Sequence, residues 1–166
     1  WQPVMSLQGE PGELYEACLR VEVNGELVTP SGFLGIAEEH GLLAQIDRWV
    51  VRRVIEVLGE RERAGRKTGL IARVSPASFA GEELVQLVRA ELAAQGVPGE
   101  RLWLEAPEAR VFTHLRSARQ FLDAVAPLGC RVGLEQFGSG LDSFQMLAHF
   151  KPAFVKIDPG LTDGVG

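Results

Sequence analysis

Residues 131–158 read Arg-Val-Gly-Leu-Glu-Gln-Phe-Gly-Ser-Gly-Leu-Asp-Ser-Phe-Gln-Met-Leu-Ala-His-Phe-Lys-Pro-Ala-Phe-Val-Lys-Ile-Asp. The apolar run 131–137 predicts a strand and the glycines at 138 and 140 a turn. Residues 141–150 follow as a short helix that must stop before Pro152, and 153–157 as a second strand. Two strands separated by a helix are joined by a crossover, so they lie parallel with the helix packed outside the sheet.

The same alternation extends toward the N-terminus. Further strand-like runs cover 4–7, 14–23 (centred on 15–20), 69–75 and 101–106. Helical spacing covers 31–40, and also 45–64, where Ile46, Trp49, Val50, Val54, Val57 and Leu58 recur at three and four residues. It returns at 82–95, stopped by Gly96, and at 115–128, stopped by Gly129. The expectation is one α/β domain with a parallel sheet, for which a closed barrel and an open doubly wound sheet both fit.

Composition narrows the function classes. The chain has 166 residues, 46% of them hydrophobic and 23% charged, enough for a single core. Its 17 basic and 22 acidic residues are interspersed and sum to −5, which argues against a partner that is a nucleic-acid polymer or an anionic membrane. No apolar stretch reaches the ~18 residues of a membrane span. Cys18 and Cys130 sit in separate apolar runs and read as small buried hydrophobes of a protein in the reducing cytoplasm. The chain opens on Trp1 without a methionine, as a fragment or processed chain would.

Charged or amide side chains mark the strand ends: Glu16, Glu105 with Glu108 three residues on, Glu135 with Gln136, and Lys156 inside Phe154-Val155-Lys156-Ile157-Asp158. In an α/β barrel such positions converge on one mouth, where these folds carry their chemistry.

These positions resemble the EAL domains, a family of cyclic di-GMP phosphodiesterases built on a TIM-type (β/α)8 barrel. Trp1-Gln2-Pro3-Val4 is similar to the family's opening aromatic-Gln-Pro-Ile, and Glu16-Ala17-Cys18-Leu19-Arg20 to Glu-Ala-Leu-Leu-Arg. Ala37-Glu38-Glu39-His40-Gly41-Leu42 resembles Ala-Glu-Glu-Thr-Gly-Leu. Leu104-Glu105-Ala106-Pro107-Glu108 stands for Leu-Glu-Ile-Thr-Glu, and Glu135-Gln136-Phe137-Gly138-Ser139-Gly140 for Asp-Asp-Phe-Gly-Thr-Gly. Val155-Lys156-Ile157-Asp158 matches Leu-Lys-Ile-Asp. Six weak motifs in the right order make a strong resemblance.

The resemblance implies a site in which carboxylates and an Asn hold two divalent cations, Mg2+ or Mn2+, that activate water on a phosphodiester. Glu16 and Glu105 match metal carboxylates and Lys156 the site's lysine. The family's Asn falls on Arg73, which has no lone pair to offer a cation. Asp-Asp becomes Glu135-Gln136, lengthening one carboxylate and removing the other. The three altered positions thus go from a charge of −2 to zero, and a metal pair is not expected to assemble.

The expectation is a degenerate, non-catalytic member that holds no metal or other cofactor and keeps cyclic di-GMP as its ligand; the alternatives are a weakly active metal-dependent phosphodiesterase and a ligand-free protein-interaction scaffold. Arg73 is expected to fill the vacated position by bonding Glu16 or Glu105. The residues expected to line the ligand are Gln2, Glu16, Leu19, Arg20, Asp47, Arg73, Glu105, Glu135, Gln136, Phe137 and Lys156. Arg20 would hold phosphate, and the Asp47 carboxylate would accept from a guanine edge. Within the family, the nearest resemblance is to a receptor that regulates type IV pilus twitching motility. It implies signalling to a PilZ-type protein partner, and a homodimer is also compatible.

A TIM-type barrel takes about eight strand–helix units over ~250 residues. The motif order here reaches the sixth strand and a glycine-rich tail. The chain is therefore read as an EAL-like domain over 1–166 lacking its last two units.

Overall fold

The computed structural model describes residues 1–6, 12–140 and 143–161. Its strands are β1 (Gln2–Pro3), β2 (Glu13–Glu16), β3 (Val21–Val23), β4 (Glu26–Val28), β5 (Thr68–Arg73), β6 (Leu102–Pro107), β7 (Arg131–Phe137) and β8 (Phe154–Ile157). The helices are α1 (Leu34–Glu39), α2 (Leu43–Arg63), α3 (Glu83–Gln95), α4 (Glu108–Thr113), α5 (Leu115–Val125) and α6 (Ser143–His149).

One six-stranded sheet runs β1-β2-β5-β6-β7-β8. β1 pairs antiparallel with β2, and every other neighbouring pair is parallel. Each parallel strand lies beside its predecessor in the sheet, with no reversal of order. A doubly wound sheet reverses at a switch point; this monotonic winding is that of a barrel, of which the chain forms a part.

The spacing read from sequence explains the packing. In α2, Val51, Val54, Ile55 and Leu58 recur on one face and are buried against the sheet, as are Leu84, Val85, Val88 and Leu92 of α3. They meet Leu70, Ala72, Leu102, Leu104 and Leu134 from the strands. Burying each large side chain contributes about 1.5–3 kcal/mol. α3 ends at Gly96, whose φ of 64° is the left-handed cap expected there.

Several boundaries differ from the sequence reading. The strand expected at 4–7 is instead Gln2–Pro3, and residue 7 lies outside the described set. The run 14–23 divides: β2 stops at Glu16, residues 17–20 are irregular, and β3 turns into β4 through Asn24 (φ 52°) and Gly25 (φ 83°). Two successive positive φ values are what a tight two-residue hairpin requires, and Asn-Gly supplies them. Because 17–20 lies beyond the strand, Cys18 is exposed, a correction to its expected burial; Cys130 is buried.

The helix expected at 31–40 is a 3-10 turn, Pro30–Gly32, followed by α1, and α2 begins at Leu43. The helix expected at 115–128 is α-helical to Val125 and finishes as a 3-10 turn, with Pro127 unable to donate an intrahelical bond. α4 was not foreseen. The helix expected at 141–150 is Ser143–His149, residues 141 and 142 lying outside the described set with the tail 162–166. Among the described residues no helix is long and apolar enough to cross a membrane.

Candidate functional site

Parallel pairing brings the carboxyl ends of the strands to one rim. Glu16 ends β2, Arg73 ends β5 with its Cα opposite that of Glu105, and Pro107 at the end of β6 lies opposite Glu135 of β7. Lys156 belongs to β8. These five side chains form one chain of ion pairs. Lys156 Nζ donates to Glu16 Oε2 at 2.7 Å and to Glu105 Oε1 at 2.9 Å. Arg73 Nη2 donates to Glu16 Oε1 at 3.3 Å and to Glu135 Oε2.

The expected role of Arg73 is therefore met at Glu16, with Glu135 as its second partner, while Lys156 takes Glu105. Three carboxylates and two cations leave the cluster one charge negative. Glu105 is fully buried and its Oε2 has no hydrogen-bond partner. Burial pushes its carboxyl up to about 7, against the pull of Lys156. Burial also raises Glu135, partly offset by Arg73. Lys156 is displaced upward because its two carboxylates outweigh its own desolvation.

The carboxylates of Glu16, Glu105 and Glu135 each bring an oxygen within 4.8 Å of the others. A hard cation prefers such an oxygen set. Here Arg73 and Lys156 already bond both oxygens of Glu16 and one each of Glu105 and Glu135, while Oε2 of Glu105 has no partner.

Around this cluster the remaining candidates fall into different places. Arg20 and Leu19 line a groove of about 280 Å³ with Trp1, Trp49 and Arg53. Arg20 is exposed and folds its guanidinium onto the Leu19 carbonyl at 2.7 Å. Gln2 is exposed on β1, its Cα opposite that of Glu16. Gln136 is exposed in a left-handed conformation (φ 54°), where the pairing of β7 with β8 is irregular. The Phe137 ring is buried and meets the exposed Phe144 edge-on, centroids 5.8 Å apart.

Asp47 bonds to none of the five. It is buried on α2, and its Oδ2 accepts from the Ser75 N–H at 2.9 Å and from the Ser75 and Ser78 hydroxyls at 2.6 Å each. This carboxylate ties the segment after β5, two residues beyond Arg73, to the first turns of α2. Desolvation raises its pKa despite those bonds.

Sequence reasoning placed Glu108 near a strand end without assigning it a task. It is buried and accepts the Gly138 N–H at 2.8 Å, anchoring the loop after β7. Trp1 and Trp49 as groove walls were also missed. Trp49 belongs to the apolar series of 45–64 that predicts a buried face, yet it is 60% exposed, so the spacing gave no signal for it as a groove wall.

The family model of the EAL domain matches residues 1–166. Among solved structures, the chain is similar to the FimX EAL domain of Xanthomonas citri in complex with c-diGMP, at 60% identity and a TM-score of 0.92, covering 99% of this chain and 64% of that one. It is similar to the FimX EAL domain of Pseudomonas aeruginosa bound to c-di-GMP at 35% identity and a TM-score of 0.90, covering 99% and 66%. Among curated proteins it is 28% identical over 158 residues to cyclic di-GMP phosphodiesterase PdeF of Escherichia coli, covering 95% of this chain and 21% of that protein. The chain thus spans about a fifth of that curated relative and about two-thirds of the solved domains.

Proposed function

The chain belongs to the EAL domain family, and from that premise we propose that it is a receptor that binds cyclic di-GMP without hydrolysing it. The observation that carries this reading is Arg73. Its guanidinium stands between Glu16 and Glu135, with Lys156 on the other side of Glu16. A pair of divalent cations would have to displace or crowd two positive side chains that already bond all three carboxylates, so these residues do not fit a metal pair.

Ligand binding draws on other atoms. Arg20 in the groove offers a guanidinium fork to phosphate with Leu19 beside it, while Gln2 lies opposite Glu16 at the end of β2. Arg73 and Lys156 add positive charge for a dianion, with Gln136 and Phe137 at the lip. Asp47 can reach a guanine edge only with its other oxygen, Oδ1, since Oδ2 is committed to the serines. In this reading the domain works in the cytoplasm. It passes the bound state to a PilZ-type protein, in control of type IV pilus twitching, as a monomer or homodimer.

A competing reading is slow, metal-dependent hydrolysis, supported by the unpartnered Oε2 of Glu105. Calorimetric titration with cyclic di-GMP, with and without Mg2+ or Mn2+, followed by product analysis after long incubation, separates the two. Tight binding unaffected by metal, with no linear dinucleotide, is expected. Linear product formed only with metal overturns the receptor reading.

A further inference from the structure

The outer surface of α4 and α5 carries a charge opposite to that of the chain as a whole. Residues 109–122 contain Arg110, His114, Arg116 and Arg119 and no Asp or Glu, in a chain with 22 acidic residues against 17 basic ones. All four side chains are on the exposed surface. Arg110 pairs with Glu38 at 3.2 Å, but both are half exposed and water screens the pair. Arg116 and Arg119 make no ion pair or hydrogen bond among the described residues. By contrast Arg48, Arg52, Arg53 and Arg61 of α2 each meet a glutamate.

The placement of Arg116 works against the helix that carries it. It lies in the first turn of α5, where the peptide dipoles favour acidic side chains. That turn has no acidic residue, and no side chain caps it. Arg119 follows at three residues, so both guanidiniums share one outward face. The opposite face, Ala118, Phe121 and Val125, is buried and fixes the helix. On α4, four residues before Arg116, Phe112 is 60% exposed. Arginines with an exposed aromatic ring are the composition of an interface hot spot.

We propose that the α4–α5 face is a docking surface for an acidic segment of a protein partner. Its carboxylates meet Arg116 and Arg119, and an apolar side chain covers Phe112. Charge complementarity selects this occupant. A short segment lies within the ~8–10 Å that charges reach at physiological salt, so it senses mainly these arginines. A nucleic-acid polymer or an anionic membrane extends past the patch and meets a chain of net charge −5. None of these residues belongs to the ion-pair cluster at the rim or to the groove beside Arg20, so the inference stands apart from the receptor reading.

The test uses the full chain and three labelled probes, read by fluorescence anisotropy. One is a ten-residue peptide of Asp and Glu around a central Leu-Leu pair. The second has Lys in place of each acidic residue, and the third is a single-stranded oligonucleotide with the charge of the acidic peptide. The acidic peptide is expected to bind saturably, at least tenfold tighter than either of the others, and more weakly as salt rises. Arg116→Glu with Arg119→Glu is expected to weaken it at least tenfold, and Phe112→Ser at least threefold. Arg66→Glu with Lys67→Glu reverses two exposed cations elsewhere and controls for overall charge; it is expected to change the affinity less than twofold.

Circular dichroism and cyclic di-GMP affinity of each variant should match the unaltered chain. Absence of saturable binding by the acidic peptide overturns the proposal. So does equal or tighter binding of the oligonucleotide, binding indifferent to Phe112→Ser, or a loss in the Arg116 and Arg119 variant no larger than in the control. Peptide binding is expected whether or not cyclic di-GMP binds, so a failure of the receptor reading leaves this surface standing.

Discussion

Replacing Arg73 by alanine removes the hydrogen-bonded cation of Glu135, whose side chain is 5% exposed. Deleting one partner of a buried ion pair costs about 3–5 kcal/mol because the other charge is stranded. The Arg73 side chain is itself 47% exposed, so water already screens part of the pairing, which reduces the expected loss to roughly 1.5–3 kcal/mol. Glu16 is less affected, because Lys156 still holds its other oxygen at 2.7 Å.

The loss should depend on pH. Burial raises the Glu135 pKa and Arg73 opposes that rise. Without the guanidinium the carboxyl holds its proton to higher pH in the folded state. At about pH 5 more of Glu135 is then protonated than at about pH 8, and less charge is stranded. At about pH 8 the carboxylate must either ionise unpaired or take up a proton at a cost. Denaturant unfolding of the unaltered chain, Arg73→Ala, Glu135→Gln and the double variant at both pH values measures this directly. Destabilisation by Arg73→Ala should be larger at the higher pH, with a coupling of about 1–2 kcal/mol to Glu135→Gln. A coupling below about 0.3 kcal/mol, or equal losses at the two pH values, would refute the ion-pair account.

Glu105→Gln should flatten the pH dependence of stability. The folded carboxyl is pushed up to about 7 from an ordinary value of 4.5, so between those values the native state binds more protons and stability falls as pH rises. The fall is up to about 3 kcal/mol for the unaltered chain, measured by denaturant midpoints across that window. Asp47→Ala should destabilise the chain by about 2–4 kcal/mol in thermal unfolding, since it leaves one N–H and two hydroxyls without their acceptor. Arg20→Ala should weaken cyclic di-GMP binding by about 1.5–3 kcal/mol in calorimetry while leaving the unfolding midpoint in place. Unchanged affinity would remove Arg20 from the site.

Much of this protein is written locally. Periodicity at 45–64 and 82–95 specifies helices wherever those residues sit, because the buried face follows from 3.6 residues per turn. The glycines at 96 and 129 end helices by their own backbone freedom. The Asn24-Gly25 turn has an equally local cause, but nothing within the run 14–23 marks the break at 17–20. Strand-end polar residues at 16, 105, 135 and 156 likewise announced a mouth, and the motif order announced the family.

What the tertiary structure decided is who meets whom. No spacing says that Arg73 pairs with Glu135, 62 positions away, while Lys156 takes Glu105. That depends on the stagger of parallel strands, which aligns β5, β6 and β7 at one rim. The same is true of Asp47, a polar residue on a helix in the sequence and a buried acceptor for two serines in the fold. Burial and partnership are properties of neighbours brought together across the chain, and local pattern cannot carry them.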